Sequence, residues 1–181
     1  MGQKQIKIPK KVENFLGKTE IKHEIVGHRT VYTAFDKAAT LKMKPCAIAK
    51  ILVVKMDGKL AMAVIGGDRN LDMDKLVKLS KAKKIDFAKE KIIGETFKGI
   101  KPGAIPPFEG LWNLKVFCDR KLLEISKIFL SGGNYETSIK ITPAAFKKIN
   151  SGMAIGNFSV ARSKTIAKKK TAKPVLKKRK K

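Results

Sequence analysis

The chain is poor in most of the groups that announce a reaction. It has two cysteines in 181 residues, Cys46 and Cys118, too few and too far apart for a disulfide framework or a CxxC site. Both read as reduced thiols, which predicts a cytoplasmic protein. No apolar run approaches membrane-spanning length, and the opening MGQKQIKIPKK lacks the hydrophobic core of a signal peptide, so a soluble chain with no membrane partner is expected. Met1-Gly2 does not complete a myristoylation motif, because position 6 is Ile6 where Ser or Thr is needed. No GxSxG elbow, Walker loop or dinucleotide fingerprint is present. His23 and His28 stand five apart on a presumed strand, hence on opposite faces, and neither has a cysteine at ligand spacing. No metal and no cofactor is therefore expected. Ser131, beside two glycines, reads as a turn residue rather than a nucleophile.

Acidic residues are also scarce. Asp and Glu number 15 against 41 Lys and Arg, for a net charge of +26. From Arg162 to Lys181 there are 11 basic residues and no acid, yet the rest of the chain still carries twice as many basic as acidic groups. Such a field favours a polyanion, RNA or DNA before an anionic membrane, with salt-dependent affinity. A Lys- and Ile-rich composition shared across a genome would give the same balance without naming a partner. Asp68, Asp72 and Asp74 could form an acidic cluster, but their position at a helix start favours capping.

What is present centres on PCAIAKILVVKM, from Pro45 to Met56. Alternation places Cys46, Ile48, Lys50, Leu52 and Val54 on one face, and Ala47, Ala49, Ile51, Val53 and Lys55 on the other. Both faces are apolar, the mark of an interior strand. Lys50 thus sits mid-strand on an oily face, where an ammonium is costly without a partner or ligand. It either lines a pocket or snorkels to the sheet edge.

Around that strand the pattern predicts a short helix over Pro9 to Lys18, with Val12, Phe15 and Leu16 at helical spacing. One strand, or two broken at Gly27, follows over Glu20 to Thr33, and then a helix over Ala34 to Met43 with Phe35, Ala38, Ala39 and Leu41 available for burial. Asp57-Gly58 is a hairpin turn returning through Lys59 to Ile65. Asp72 caps a helix carrying Met73, Leu76, Val77 and Leu79. Lys83 to Ala88 reads as a strand and Lys89 to Thr96 as a helix. The glycine- and proline-dense stretch Gly99 to Gly110 forbids regular structure, and its restricted geometry can hold backbone N–H groups in a fixed fan. Further strands are expected over Val116 to Asp119, Lys127 to Leu130 and Ser138 to Ile141, and a last helix from Pro143. From about Ser159 apolar periodicity stops, predicting a disordered lysine-rich tail. The expected organisation is an N-terminal helical extension over 1–19, a body over 20–158 and the tail over 159–181. Lys50 and the loops Gly99 to Pro107 and Ser131 to Asn134 could together form a pocket with one cation and several N–H donors, suited to a carbonyl, carboxylate or phosphate.

The segments TAFDKAA (Thr33 to Ala39), IAKILVV (Ile48 to Val54), GGDRNLDMDKL (Gly66 to Leu76), GAIPP (Gly103 to Pro107) and SGGNYETSIKITPAAF (Ser131 to Phe146), in that order, resemble the YbaK domain. This aminoacyl-tRNA editing domain is also found inserted in bacterial prolyl-tRNA synthetases. The resemblance covers about Glu20 to Asn150 and implies an α+β fold, a mixed β-sheet curled into a partial barrel with flanking helices. It implies hydrolysis of the ester of a mischarged tRNA, with alanyl- or cysteinyl-tRNA for proline as substrate, and tRNA and an aminoacyl-tRNA synthetase as partners. The family's lysine matches Lys50, expected to be catalytic by binding the terminal phosphate or ribose or by stabilising negative charge. Its GxxxP loop matches Gly103, Ala104, Ile105, Pro106 and Pro107, expected to bind substrate together with Gly132, Gly133 and Asn134. A water or a ribose hydroxyl would be the nucleophile, and the body and tail lysines would contact tRNA backbone. Where bacterial free-standing members carry a basic pair and a Gly-Leu-Asp run, this chain has Asn134-Tyr135 and Glu136-Thr137-Ser138, so an acid of the pattern is missing. The rival readings are a non-catalytic tRNA- or ribosome-associated binding protein on the same fold, and a tail that anchors other polyanions such as DNA.

Overall fold

A computed structural model of the chain describes residues 7–162. The lysine-rich segment beyond them, and the expectations placed on it, lie outside the described residues. The organising unit is a hairpin. Strand β2 (Ala49–Met56) turns through Asp57 and Gly58, both at positive φ, into β3 (Lys59–Gly66), with register running from Met56–Lys59 to Ala49–Gly66. The Asp57 carboxylate accepts the backbone N–H groups of Lys83 and Lys84, which tie the turn to the chain entering β5 (Ile85–Phe87). Those two bonds hold the carboxyl below its ordinary range.

β5 pairs with β2 antiparallel on one side, and on the other β3 pairs in parallel with β6 (Lys115–Asp119), which pairs in parallel with β9 (Ala154–Gly156). A second sheet of three antiparallel strands places β8 (Thr137–Ile141) between β1 (His23–Gly27) and β7 (Ile128–Ser131). One parallel bridge, Ile48 to Phe129, joins the sheets. The sheet therefore curls without closing, and six α-helices flank it among the described residues: the α+β partial barrel.

Helix α1 (Lys10–Lys18) places Val12 and Leu16 in the main core with Phe108, Trp112, Val116, Ile139 and Phe146. The N-terminal helix is thus built into the body. Helix α3 (Met73–Ser80) is capped by the Asp72 side chain on the Lys75 N–H and seats Leu76 against Val54, Ile65, Phe117 and Phe158. Thr33 caps α2 (Ala34–Thr40), and Thr142 caps α6 (Pro143–Ile149), which opens with proline where an N–H would go unused. Lys89 precedes α4 (Glu90–Thr96).

Several expectations needed correction. Within Glu20 to Thr33 only His23–Gly27 is strand; beyond it the N–H groups of His28 and Val31 bond the carbonyls of Glu136 and Tyr135 in a loop, which bends the chain off the sheet. Pro45–Ala47 is a 3-10 turn, so β2 begins at Ala49. Of the four residues expected to bury on α2, Ala38 does and Leu41 does in part, but Phe35 and Ala39 face out and Lys37 faces in. A short helix α5 (Glu109–Trp112) ends the glycine- and proline-rich loop. Strand β4 (Arg69–Leu71) pairs with β10 (Ser159–Ala161), inside the stretch expected to be tail. There Arg69 donates to the Ser159 hydroxyl and carbonyl, so pairing and side-chain bonds supply what apolar periodicity does not.

Candidate functional site

The cleft follows from how β2 is paired. Its second half, Val54–Met56, is flanked by β3 and β5, whereas Lys50 and Ile51 pair with β3 alone. The bridge at Ile48 then carries the chain to β7. Between bridge and β5 the sheet edge is open, and there a cleft of about 290 Å³ is lined by Ala49, Lys50 and Ile51 from β2, by α2 and the loop before it, by the Gly103-Ala104 loop, and by Ser131, Asn134 and Tyr135.

Lys50 does line a pocket. Its Nζ donates to the Arg69 carbonyl at 2.5 Å, leaving two donors for a ligand. Burial lowers its pKa first, the Arg162 guanidinium adds to this, and Asp68 opposes it. Asp68 Oδ1 is buried with no hydrogen-bond partner among the described residues, and its backbone carbonyl accepts from the Arg162 N–H. Gly67 closes the floor. A Cβ there would lie 2.8 Å from both Ala34 Cβ and the Pro45 carbonyl, and its N–H reaches the carbonyls of Pro45 and Ile48.

The expected binding loops divide. Gly103, Ala104 and Asn134 line the cleft; Ile105, Pro106, Pro107, Gly132 and Gly133 are not part of its lining. Ile105 is in the core, and the Pro106 carbonyl accepts from Trp112 Nε1 at 2.8 Å. The N–H groups of Gly132 and Gly133 bond the carbonyls of Thr137 and Ala104, and the Gly133 carbonyl accepts from the Lys101 N–H. The glycine pair is a clamp that holds the 101–104 loop against the sheet, and a Cβ at Gly132 would meet Thr137 Oγ1 at 2.5 Å. Asn134 is also committed: Nδ2 donates to the Lys7 carbonyl, and Oδ1 accepts from the Glu136 N–H and the Thr137 hydroxyl. The Ala104 N–H is used by the Lys101 carbonyl. Of the expected binding residues that line the cleft, Gly103, at φ +75°, and Asn134 keep N–H groups that meet no protein acceptor among the described residues.

Three groups of the cleft were not anticipated. Tyr32, 76 % exposed, packs edge-on against Tyr135 at 4.8 Å. Phe35 carries the Arg162 guanidinium 5.0 Å above its ring. The deep wall holds Lys37, 8 % exposed, whose Nζ donates to Ser131 Oγ at 3.3 Å. Ala34, Lys37, Ala38 and Leu41 share one helical face, so a charge on an apolar stripe was readable there by the argument applied to Lys50. Tyr32 and Tyr135 are 103 positions apart and gave no such signal. His28 Nε2 lies 3.0 Å from Ser138 Oγ, and Ser138 pairs with Ser131 across β7 and β8. Burial pushes the His28 pKa down, and the nearby charge of Lys37 adds to this. His23 is at the far end of β1, bonded to the Ile21 carbonyl, and among the described residues no group of three metal-ligating side chains exists.

The fold is thus a partial α+β barrel with a cationic, ring-lined cleft at an open strand edge. Residues 28–149 match the family described as the aminoacyl-tRNA editing domain, and the chain belongs to that family. No curated protein matches it. Among solved structures, the hypothetical protein APE2540 superposes with a TM-score of 0.75 at 22 % identity, over 83 % of this chain and 99 % of that one. A protein named as a candidate trans-editing enzyme for prolyl tRNA synthetase gives 0.75 at 20 % identity, over 84 % and 97 %. A signal-transduction candidate from Marinobacter aquaeolei VT8 gives 0.68 at 15 %, over 85 % of this chain and 31 % of that one. At such identities these likenesses bear on the fold alone. Among the described residues no helix is long and apolar enough to cross a membrane.

Proposed function

We propose that the protein is a trans-editing aminoacyl-tRNA deacylase, which hydrolyses the ester joining a wrong amino acid to the 3′-terminal adenosine of tRNA. The observation that carries this reading, in a chain of the editing family, is the cleft itself. It is small for a ligand pocket, it is cationic, and its mouth is rimmed by Tyr32, Phe35 and Tyr135. Exposed rings beside a cationic groove suit an unpaired base and its phosphate. The terminal adenine would stack at the mouth, and Lys50, anchored by the Arg69 carbonyl, would direct its remaining donors at the terminal phosphate or ribose. The ester carbonyl would face the Gly103 and Asn134 N–H groups, which stabilise the oxyanion as it develops. Because an aminoacyl ester is already labile, positioning and oxyanion donors supply most of what hydrolysis needs. The small cavity favours a small side chain, which makes alanyl- and cysteinyl-tRNA for proline the first substrates to try. An aminoacyl-tRNA synthetase that releases such a product is the partner this activity would follow, in the cytoplasm, and the basic tail would hold tRNA backbone.

The test is a deacylation time course on those two tRNAs with wild type and Lys50→Ala. Wild type is expected to cleave one of them, and the folded variant to lose on the order of 10²-fold in rate. Tight tRNA binding with no turnover on a wide panel of mischarged tRNAs would replace the enzyme by a binding module on the same fold.

A further inference from the structure

The described body has one deeply buried amine facing the cleft without a counter-charge. Lys37 makes no ion pair among the described residues; the Ser131 hydroxyl is its hydrogen-bond partner, and it lines the same cleft as Lys50 and Gly103. A lysine kept for stability would be paired with a carboxylate or would snorkel to water. Helix α2 instead turns Lys37 inward between Ala34 and Ala38, while Phe35, an apolar ring, faces out.

Resting on the deacylase reading above, we propose that Lys37 is the general base of the reaction, with Ser131 as the residue that positions it. The neutral amine donates one N–H to Ser131 Oγ and presents its lone pair to the cleft. A water held there attacks the ester carbonyl carbon as its proton passes to Lys37 Nζ. The C–O bond to the ribose then breaks, and the same proton is delivered to the leaving 3′ oxygen. Nothing is oxidised or reduced, and the amine returns neutral. Lys50 does not fill this role, because it is only partly buried and the Asp68 carboxylate beside it favours its ammonium form. Burial alone brings the Lys37 pKa down from 10.5 to about 8, within reach of a working base at neutral pH. The other charged or titratable groups around it are His28 from the loop after β1, Lys50 from β2, Tyr32 and Tyr135 at the mouth, Arg162 after β10, and the carboxylates of Glu136 and Asp68, which act on His28 and Lys50 and not on Lys37. No carboxylate among the described residues pairs with Lys37 to hold its ammonium form.

The experiment measures single-turnover deacylation from pH 6 to 9.5, corrected for spontaneous hydrolysis, with wild type, Lys37→Met, Lys37→Arg and Ser131→Ala. Wild type is expected to gain rate with pH and level off near the Lys37 pKa. Lys37→Met should lose about 10²- to 10⁴-fold in rate with little change in KM. Lys37→Arg should not rescue it, since a guanidinium stays protonated. Ser131→Ala keeps the amine but loses an acceptor that favours its charged form, so the levelling point should move to lower pH. If the folded Lys37→Met variant keeps wild-type rate and profile, the base assignment is overturned while the deacylase reading stands. An acyl group trapped on Ser131 by rapid quench would also overturn it, making the serine the nucleophile. A wild type inactive across the whole panel overturns the deacylase reading itself, and the role of Lys37 with it.

Discussion

The two halves of β2 obey the same alternation and end in opposite states. Val53, Val54 and Met56 are buried, with β5 alongside and α3 and Phe158 packed on the Val54 face. Lys50, Ile51 and Leu52 are only partly buried, because no strand pairs along their free edge. The site is thus the place where sheet closure stops, and its polar groups are tolerated because water and ligand reach them. Packing governs one half and charge governs the other.

The largest effect should come from breaking the packed half. Phe158 is fully buried beneath α3, its N–H donates to Asp119 Oδ2 and its carbonyl accepts from the Asp72 N–H. Phe158→Ala leaves those backbone bonds possible but opens a cavity, and a loss of about 3–5 kcal/mol is expected in urea denaturation. An unchanged midpoint would show that α3 is not held by this contact.

The next test sharpens the contrast by removing a charge from the cleft beside the open half, on α2. Lys37 has its folded pKa depressed to about 8 from 10.5. Below pH 8 both folded and unfolded chains hold its proton, and the full penalty of burying an ammonium applies. Between pH 8 and 10.5 the unfolded chain binds more protons, so this group makes stability rise with pH. Lys37→Met has no such penalty and should be more stable than wild type at pH 7, by up to about 3 kcal/mol. The gap should close as pH rises through that window. A variant less stable at pH 7 would mean that Lys37 is a structural residue after all.

How much of this was legible in the sequence depends on the range of the interaction. The hairpin at Asp57-Gly58, the Asp72 cap and the Pro143 helix start are local, set by a residue and its near neighbours, and each stands in the fold. Lys50 was legible because its contradiction is local too, a charge within an apolar run. Strands β4, β9 and β10 have three residues each and no apolar alternation around them, whereas the equally short β5 lies within the readable run from Lys83 to Ala88. Gly132 and Gly133 looked like donors for a ligand because sequence shows that a glycine is present but not what its N–H already bonds. Their partners, Thr137 and Ala104, are fixed by the meeting of two loops. Ser131 read as a turn residue because the amine beside it comes from 94 positions away.

The smallest effect belongs to the mouth, where neither packing nor a buried charge is at stake. Tyr32 contributes little to the core, being 76 % exposed, and its edge-on contact is to Tyr135, whose hydroxyl donates to the Pro102 carbonyl. That bond holds one ring in place and leaves the other free to take a base. Tyr32→Ala should leave thermal stability and the single-turnover rate at saturating enzyme unchanged. It should raise KM for the charged tRNA about ten-fold, the scale of one lost base stack. Tyr32→Phe should restore it, because stacking needs the ring and not the hydroxyl. A KM that stays put in Tyr32→Ala would remove the mouth from the substrate's path, and the terminal base would then have to be held from the Arg162 side of the cleft.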